Sequence, residues 1–187
     1  MADLPEFDPR ADLRSAAEWV QSLVDAITPQ QWGEPTPNSE WTVRELVAHL
    51  VGVADSLPAT LTSSATAEYD DVPDEGWPKA YATALARLDE AIADPEILTK
   101  RYATMFGEQS GGAFLSHFIA EFLVHGWDLA TATGQHSEGP SNVAARALVL
   151  ARKQIPAENR DPKFFAPVVE VSPDAGETRR LAAWLGR

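Results

Sequence analysis

Residues Phe114 to Gly134 read FLSHFIAEFLVHGWDLATATG and predict one long helix. Apolar residues occupy almost every side of it, which is typical of a helix buried in a protein core. The same helix carries four polar residues, which we call the polar stripe: His117, Glu121, His125 and Asp128. At about 100° per residue, they fall within an arc of roughly 80° on one side of the helix. Because buried ionisable groups are costly unless they are paired, hydrogen-bonded or bound to a metal, this stripe needs an explanation.

A metal site is the sharpest explanation of the polar stripe. Glu121 and His125 are four residues apart, so they lie one turn apart on the same helix face. His49 lies inside an apolar run on another predicted helix and is the natural third ligand, since bundles build metal sites from facing helices. Two imidazoles and one carboxylate suit zinc, nickel, iron or manganese. Three protein ligands leave positions for water or substrate, as in catalytic metal sites.

The alternative is that each histidine is a core residue hydrogen-bonded to a backbone carbonyl. That interpretation is the better one for any single histidine, and the spacing E-x-x-x-H often arises by chance. The strongly apolar helix favours the metal site, because glutamate is rarely buried without a partner.

The other polar residues of this region allow more than one role. His117 lies two turns before His125, and we interpret it as supporting the site or as purely structural, with a fourth ligand as the alternative. Asp128 is the candidate catalytic residue: it would orient a ligand imidazole or accept a proton. A salt bridge or a hydrogen bond to a neighbouring loop explains Asp128 equally well. His136 lies in a polar loop and is expected to be solvated.

The remaining chain predicts further helices and little sheet. Thr42 and Glu45 form a capping-box pattern that opens the helix carrying His49, and this pattern explains Glu45 without a function. Trp41 and Trp127 either line a pocket or belong to the core. The other predicted elements, in chain order, are a helix over 8–28, a loop or helix extension over 57–67, a helix over 77–93, a short hairpin or extended crossing over 97–110, a helix from about 140 to 155, a loop over 157–164, a strand over 165–171 and a helix over 176–185.

Composition excludes several functional classes. The 187 residues include no cysteine, so disulfides, thiolate metal ligands and a cysteine nucleophile are excluded. The 28 acidic and 15 basic residues give a net charge of −13, which argues against nucleic-acid binding. The first residues do not have the pattern of a signal peptide, and no apolar run is long enough to span a membrane. We therefore expect a cytoplasmic protein without a membrane partner.

Nucleotide-binding loops and the serine-hydrolase motif are absent from the sequence.

Two stretches resemble a known superfamily. They are WTVRELVAHLVG from Trp41 to Gly52 and AEFLVHGWDLATATGQ from Ala120 to Gln135. Both are similar to the DinB-like superfamily, and specifically to its actinobacterial branch, which is related to the metal-binding domain of mycothiol-dependent maleylpyruvate isomerase. The stretches PTPNSEW from Pro35, FAPVVEV from Phe165 and RRLAAWLGR from Arg179 also resemble that branch.

The resemblance implies an all-α fold: a DinB-like four-helix bundle with a small C-terminal strand and helix appendage. It implies a divalent metal, zinc or nickel, held by His49, Glu121 and His125, and a low-molecular-weight thiol, mycothiol, as co-substrate. Residues 1–157 would form the metal-binding bundle, and residues 158–187 a short extension packed on the same domain. The isomerase has a larger C-terminal domain, so we do not expect maleylpyruvate isomerisation itself.

The functional hypothesis is a metal-dependent thiol S-transferase or a related enzyme, in which the metal activates the thiol toward an electrophilic small molecule. The first alternative is a non-catalytic, metal-containing bundle that binds a small ligand or a protein partner. The second alternative is a metal-free structural bundle. A homodimer is left open.

Overall fold

A computed structural model describes residues 8–38, 41–69, 72–104, 107–158, 160 and 165–187. Within these residues the chain is mostly helical, with one small antiparallel sheet. The elements are α1 (Pro9–Asp25), α2 (Val43–Thr62), α3 (Trp77–Ala91), β1 (Arg101–Thr104), β2 (Gly107–Ser110), α4 (Gly111–Thr133), α5 (Ser141–Gln154) and α6 (Glu177–Trp184), with short 3-10 helices at Asp74–Gly76 and Pro95–Leu98. In the sheet, Arg101 pairs with Ser110 and Thr104 with Gly107.

Local sequence signals fix the helix ends near the site. The side chain of Glu45 accepts a hydrogen bond from the backbone N–H of Thr42 at 2.7 Å, and the hydroxyl of Thr42 accepts one from the Glu45 N–H. The predicted capping box is therefore confirmed. Ser110 caps α4 by accepting from Ala113 N–H, and Gly134 ends α4 with a left-handed φ of 66°, as predicted.

Helix α4 is the central element. It packs against α1, α2, α5 and α6, while α2 and α1 also pack against α3. The helices α1, α4, α2 and α3 therefore contact one another in a ring. The apolar side chains of α4 belong to the core that these helices share: Phe114, Leu115, Phe118, Ile119, Phe122, Leu123, Leu129 and Ala130 are all buried. The expectation that this helix is buried on almost every side is confirmed.

The predicted strand over residues 165–171 is wrong. This segment forms no strand, and no strand of the described residues pairs with it. Instead it lies along α6, where Val169 N–H donates to Ala183 O at 3.0 Å. The alternation of apolar residues predicts an extended segment with one buried and one exposed side. It does not predict whether a second strand lies beside that segment, and a β-ladder requires one.

Other predicted bounds need smaller corrections. The helix carrying His49 continues through Pro58 and ends at Thr62, so the extension beyond 57 is confirmed only in part. Of the two alternatives predicted for 97–110, the hairpin is confirmed, since β1 and β2 form an antiparallel pair. Most of the loop predicted over 157–164 lies outside the described residues. None of the helices described is long and apolar enough to cross a membrane.

Gly126 is the close contact point between α1 and α4. A β-carbon at Gly126 would lie 2.4 Å from a ring carbon of Trp19, far below van der Waals distance. The missing side chain therefore lets the indole of α1 pack directly on the turn of α4 that follows His125. Close packing against Trp19 therefore explains why the second position of the pattern H-G-W-D, residues 125–128, is a glycine.

We expect Gly126→Ala to lower the free energy of unfolding by about 1–3 kcal/mol, because the added methyl group overpacks the contact with Trp19. Chemical denaturation measures this change. Gly52→Ala is the matched control, since Gly52 is also inside a helix and a β-carbon there meets nothing within 4 Å. That control should gain up to about 1 kcal/mol from helix propensity. Equal stabilisation by both substitutions would contradict the packing role.

Candidate metal centre

Three predicted ligands come together between α2 and α4. His49 lies in the second turn of α2, whose start is fixed by the capping box, and Glu121 and His125 lie one turn apart on α4. One atom from each side chain lies within 4.8 Å of the other two. Among the described residues, no other cluster of three or more histidine, cysteine or acidic side chains has this geometry.

The carboxylate of Glu121 is the centre of the cluster. Its Oε1 lies 2.9 Å from His49 Nε2 and 3.3 Å from His125 Nε2. Both imidazoles therefore direct the same ring nitrogen at the same oxygen. Such convergence of two nitrogens and one oxygen is what a small divalent ion requires of its ligands.

Burial and charge act against each other at Glu121 and His125. Burial alone would raise the pKa of Glu121, but hydrogen bonds from His125 and His49 and their charges hold it well below its usual value. Burial alone would lower the pKa of His125, but hydrogen bonds to Asp128 and Glu121 outweigh it and raise the pKa to about 9. In the metal-free protein at neutral pH, the cluster is thus an ionised carboxylate beside an imidazolium.

Asp128 lies behind His125. The imidazole Nδ1–H donates to Asp128 Oδ2 at 3.1 Å, and the side chain of Asp128 is completely buried. Arg187, which follows α6, donates from Nε to the same oxygen at 3.1 Å. Both contacts that the sequence offered as alternatives for Asp128 are therefore present, one to a histidine and one to an arginine.

Trp41 forms a wall of the cluster. Its ring centroid lies 4.5 Å from that of His49 and 5.6 Å from that of His125. Trp127 is the other tryptophan considered for a pocket. The guanidinium carbon of Arg179 lies over its ring, 4.7 Å from the ring centroid. Trp41 is therefore part of the candidate site, whereas Trp127 contacts the C-terminal helix α6.

The remaining histidines lie outside the cluster. His117 Nε2 is 3.3 Å from Gln109 Nε2 of β2, and burial lowers the pKa of His117. It is not one of the three side chains that meet, which disfavours the fourth-ligand interpretation. His136 is exposed, as expected.

Arg187 was not found by sequence reasoning. It is 59 residues from Asp128, and no spacing rule connects the two positions. The only signal available was indirect: a buried aspartate on an apolar helix needs a cationic partner.

Comparison with known proteins shows to which family the chain belongs. Residues 13–130 match the family of the mycothiol maleylpyruvate isomerase N-terminal domain. The chain belongs to this family. The matched range includes His49, Glu121, His125 and Asp128, and the resemblance inferred from residues 41–52 and 120–135 is confirmed.

Two proteins similar to this chain come from Mycobacterium tuberculosis, one from strain CDC 1551 / Oshkosh and one from strain ATCC 25618 / H37Rv. Each is 32% identical over 182 residues, which cover 97% of this chain and 98% of the relative. Both are described only as uncharacterized proteins. No solved structure matches the chain.

The pKa of His125 predicts how the stability of the metal-free protein depends on pH. Because the pKa rises from 6.5 to about 9 on folding, protonated His125 stabilises the fold fully below pH 6.5. This contribution, about 3 kcal/mol, should be lost as the pH rises toward 9. Glu121 acts in the opposite sense, because its pKa is lowered on folding: its contribution to stability is complete above its usual value of 4.5 and is lost progressively as the pH falls below that value.

Denaturation with a chelator present, between pH 5.5 and 9.5, measures this loss. His125→Gln should remove most of the alkaline decline, while the exposed His136→Gln should leave it unchanged. A decline of equal size in the His125 variant would show that another group causes it.

Proposed function

We propose that the protein holds one divalent metal ion, zinc or nickel, through His49, Glu121 and His125, and that the ion activates a low-molecular-weight thiol. The thiol is of the mycothiol type, and the reaction is an S-transfer to an electrophilic small molecule or a related reaction. The observation that carries this proposal is the convergence of His49, Glu121 and His125, of which one ligand atom each lies within 4.8 Å of the others. Glu121 Oε1 is 2.9 Å from His49 Nε2 and 3.3 Å from His125 Nε2.

The donor set fits a divalent ion. Two neutral imidazoles and one carboxylate leave a formal charge of about +1 with such an ion, which favours an anionic ligand in the remaining position. The Nδ1–H of His125 already donates to Asp128, so Nε2 is the nitrogen left for ligation. Trp41 lies beside both imidazoles and restricts their rotation.

The ion would supply Lewis acidity, which lowers the pKa of a bound thiol so that the thiolate forms near neutral pH. The residues of the chain have supporting tasks. Glu121 contributes the negative charge that keeps the two histidines close together. Asp128 is completely buried behind His125, so we assign it the orientation of that ring. In the overall reaction, the S–H bond of the thiol breaks and the sulfur forms a bond to the electrophilic atom. The bond from that atom to its leaving group breaks at the same time, the leaving group departs with the electron pair, and the proton passes to it or to water.

The family supports the thiol part of this proposal. The name of the matched family contains mycothiol, and the match covers all three proposed ligands. We also propose that the ring of α1, α4, α2 and α3 is the DinB-like four-helix bundle, with α6 and the segment before it as an extension packed on the same domain.

We expect protein purified without added metal to contain close to one divalent ion per chain, because the three ligands already converge. Elemental analysis measures the content. His125→Ala should lose the ion, while His136→Ala, which changes an exposed histidine, should retain it. Absence of metal from the wild type, even after incubation with zinc or nickel, would overturn the proposal.

We expect mycothiol to bind to the metal-loaded protein through sulfur. In cobalt-substituted protein, binding should produce a thiolate-to-metal charge-transfer absorption, because a thiolate becomes a ligand of the ion. S-methylated mycothiol is the matched control, since it cannot form a thiolate and should produce no such band. Metal-loaded protein that neither binds mycothiol nor consumes it with any electrophile would contradict the thiol function. The non-catalytic, metal-containing bundle would then be the better description.

A further inference from the structure

The side chain of Asp128 lies between a histidine and an arginine. Oδ2 accepts one hydrogen bond from His125 Nδ1 and one from Arg187 Nε, each 3.1 Å long. Oδ1 is buried and makes no hydrogen bond to the described residues. One oxygen therefore carries all the described polar contacts of this carboxylate, and the position of that oxygen determines how His125 is held.

The backbone around Arg187 is fixed at several points. Arg187 N–H donates to Ala182 O at 2.9 Å, after a turn in which Gly186 has a φ of 93°. Arg179 donates from Nη1 to the carbonyl of Arg187 at 2.7 Å, and the guanidinium of Arg179 stacks over Trp127 of α4. Arg187 is thus attached to α4 through its own side chain and through Arg179.

The N-terminus of α6 is also anchored. The carboxylate of Glu138 accepts hydrogen bonds from Thr178 N–H at 3.0 Å and Arg179 N–H at 3.2 Å. A negative side chain at this end matches the helix dipole. The helix that leads to Arg187 is therefore held at both ends.

Charge explains why Asp128 needs an arginine in addition to a histidine. A completely buried carboxylate is strongly destabilising without a cationic partner. If His125 binds an ion through Nε2, its ring is neutral and gives Asp128 a single hydrogen bond through Nδ1. Arg187 then remains the cation in contact with Asp128.

We propose that Arg187 is a positioning residue of the metal centre: it fixes Asp128 so that Oδ2 holds the ring of His125 with Nε2 directed at Glu121 and His49. The inference rests on the proposed function, because it assigns Arg187 a task at the same site. It makes the residues that follow α6 part of the centre, although they lie outside the range matched by the family.

The test compares two arginines close together in the chain. Arg187→Gln removes the contact with Asp128. Arg180→Gln removes the same charge from a side chain that contacts Glu177 and Pro173 instead. Competition with a chelator gives the zinc dissociation constant of each full-length variant. We expect Arg187→Gln to bind zinc about tenfold more weakly or worse, which is typical of residues that support a metal ligand, and Arg180→Gln to bind as the wild type.

Three further variants separate positioning from general stabilisation: Arg187→Lys, Asp128→Asn, and Asp128→Asn combined with Arg187→Gln. Arg187→Lys keeps the charge but not the planar guanidinium, and it should restore only part of the affinity. Asp128→Asn combined with Arg187→Gln should bind no more weakly than Asp128→Asn alone, since Arg187 acts through Asp128. The absorption spectrum of cobalt at saturation should change in Arg187→Gln, because it reports ligand geometry and not the stability of the fold.

The outcomes distinguish the two claims. If the wild type binds zinc and Arg187→Gln has the same dissociation constant and cobalt spectrum, the positioning role is wrong and the proposed function stands. A lower melting temperature alone would mean that Arg187 only attaches α6, and it would overturn the inference in the same way. If neither the wild type nor Arg180→Gln binds zinc or cobalt, the proposed function fails, and the inference fails with it.

Discussion

The rest of the structure depends on the need to pair charges inside the core. Helix α4 is buried on almost every side, yet Glu121, His125 and Asp128 occupy one side of it. Without partners, charges on the buried His125 and Asp128 would each cost about 3–5 kcal/mol, which is a large part of the free energy of unfolding of a typical domain. The neighbouring elements supply partners: α2 brings His49 to Glu121, and the residues that follow α6 bring Arg187 to Asp128. Apolar packing and charge pairing therefore position the same elements.

The contacts among the protein's own side chains organise the cluster. His125 contacts a carboxylate through each ring nitrogen, with Glu121 at Nε2 and Asp128 at Nδ1. These contacts fix the orientation of the ring, and Trp41 limits the space beside it. A site whose side chains already have the required directions loses little conformational entropy on binding. The polar stripe thus stabilises the fold and prepares a ligand set with the same contacts.

The sequence predicted what depends on local pattern. The capping box at Thr42, the left-handed end at Gly134 and the pair Glu121–His125 each involve residues within a few positions of one another, where helix geometry sets the distances. The segment 165–171 was predicted wrongly because alternation does not specify a partner strand. Arg187 was missed because its contact spans 59 residues and depends on how α6 packs. Tertiary packing decides such contacts, and a single sequence contains no direct signal for them.

The unequal exposure of the three converging side chains has a kinetic consequence. The side chains of His49 and Glu121 are 30% and 36% exposed, whereas that of His125 is 8% exposed. Water therefore reaches the cluster at His49 and Glu121 more readily than at His125. An ion leaving this site would exchange its bonds to His49 and Glu121 for water first and its bond to His125 last. If the proposed ion is bound there, water or a chelator would compete for it first at these two exposed ligands, so that metal exchange would not require the protein to unfold.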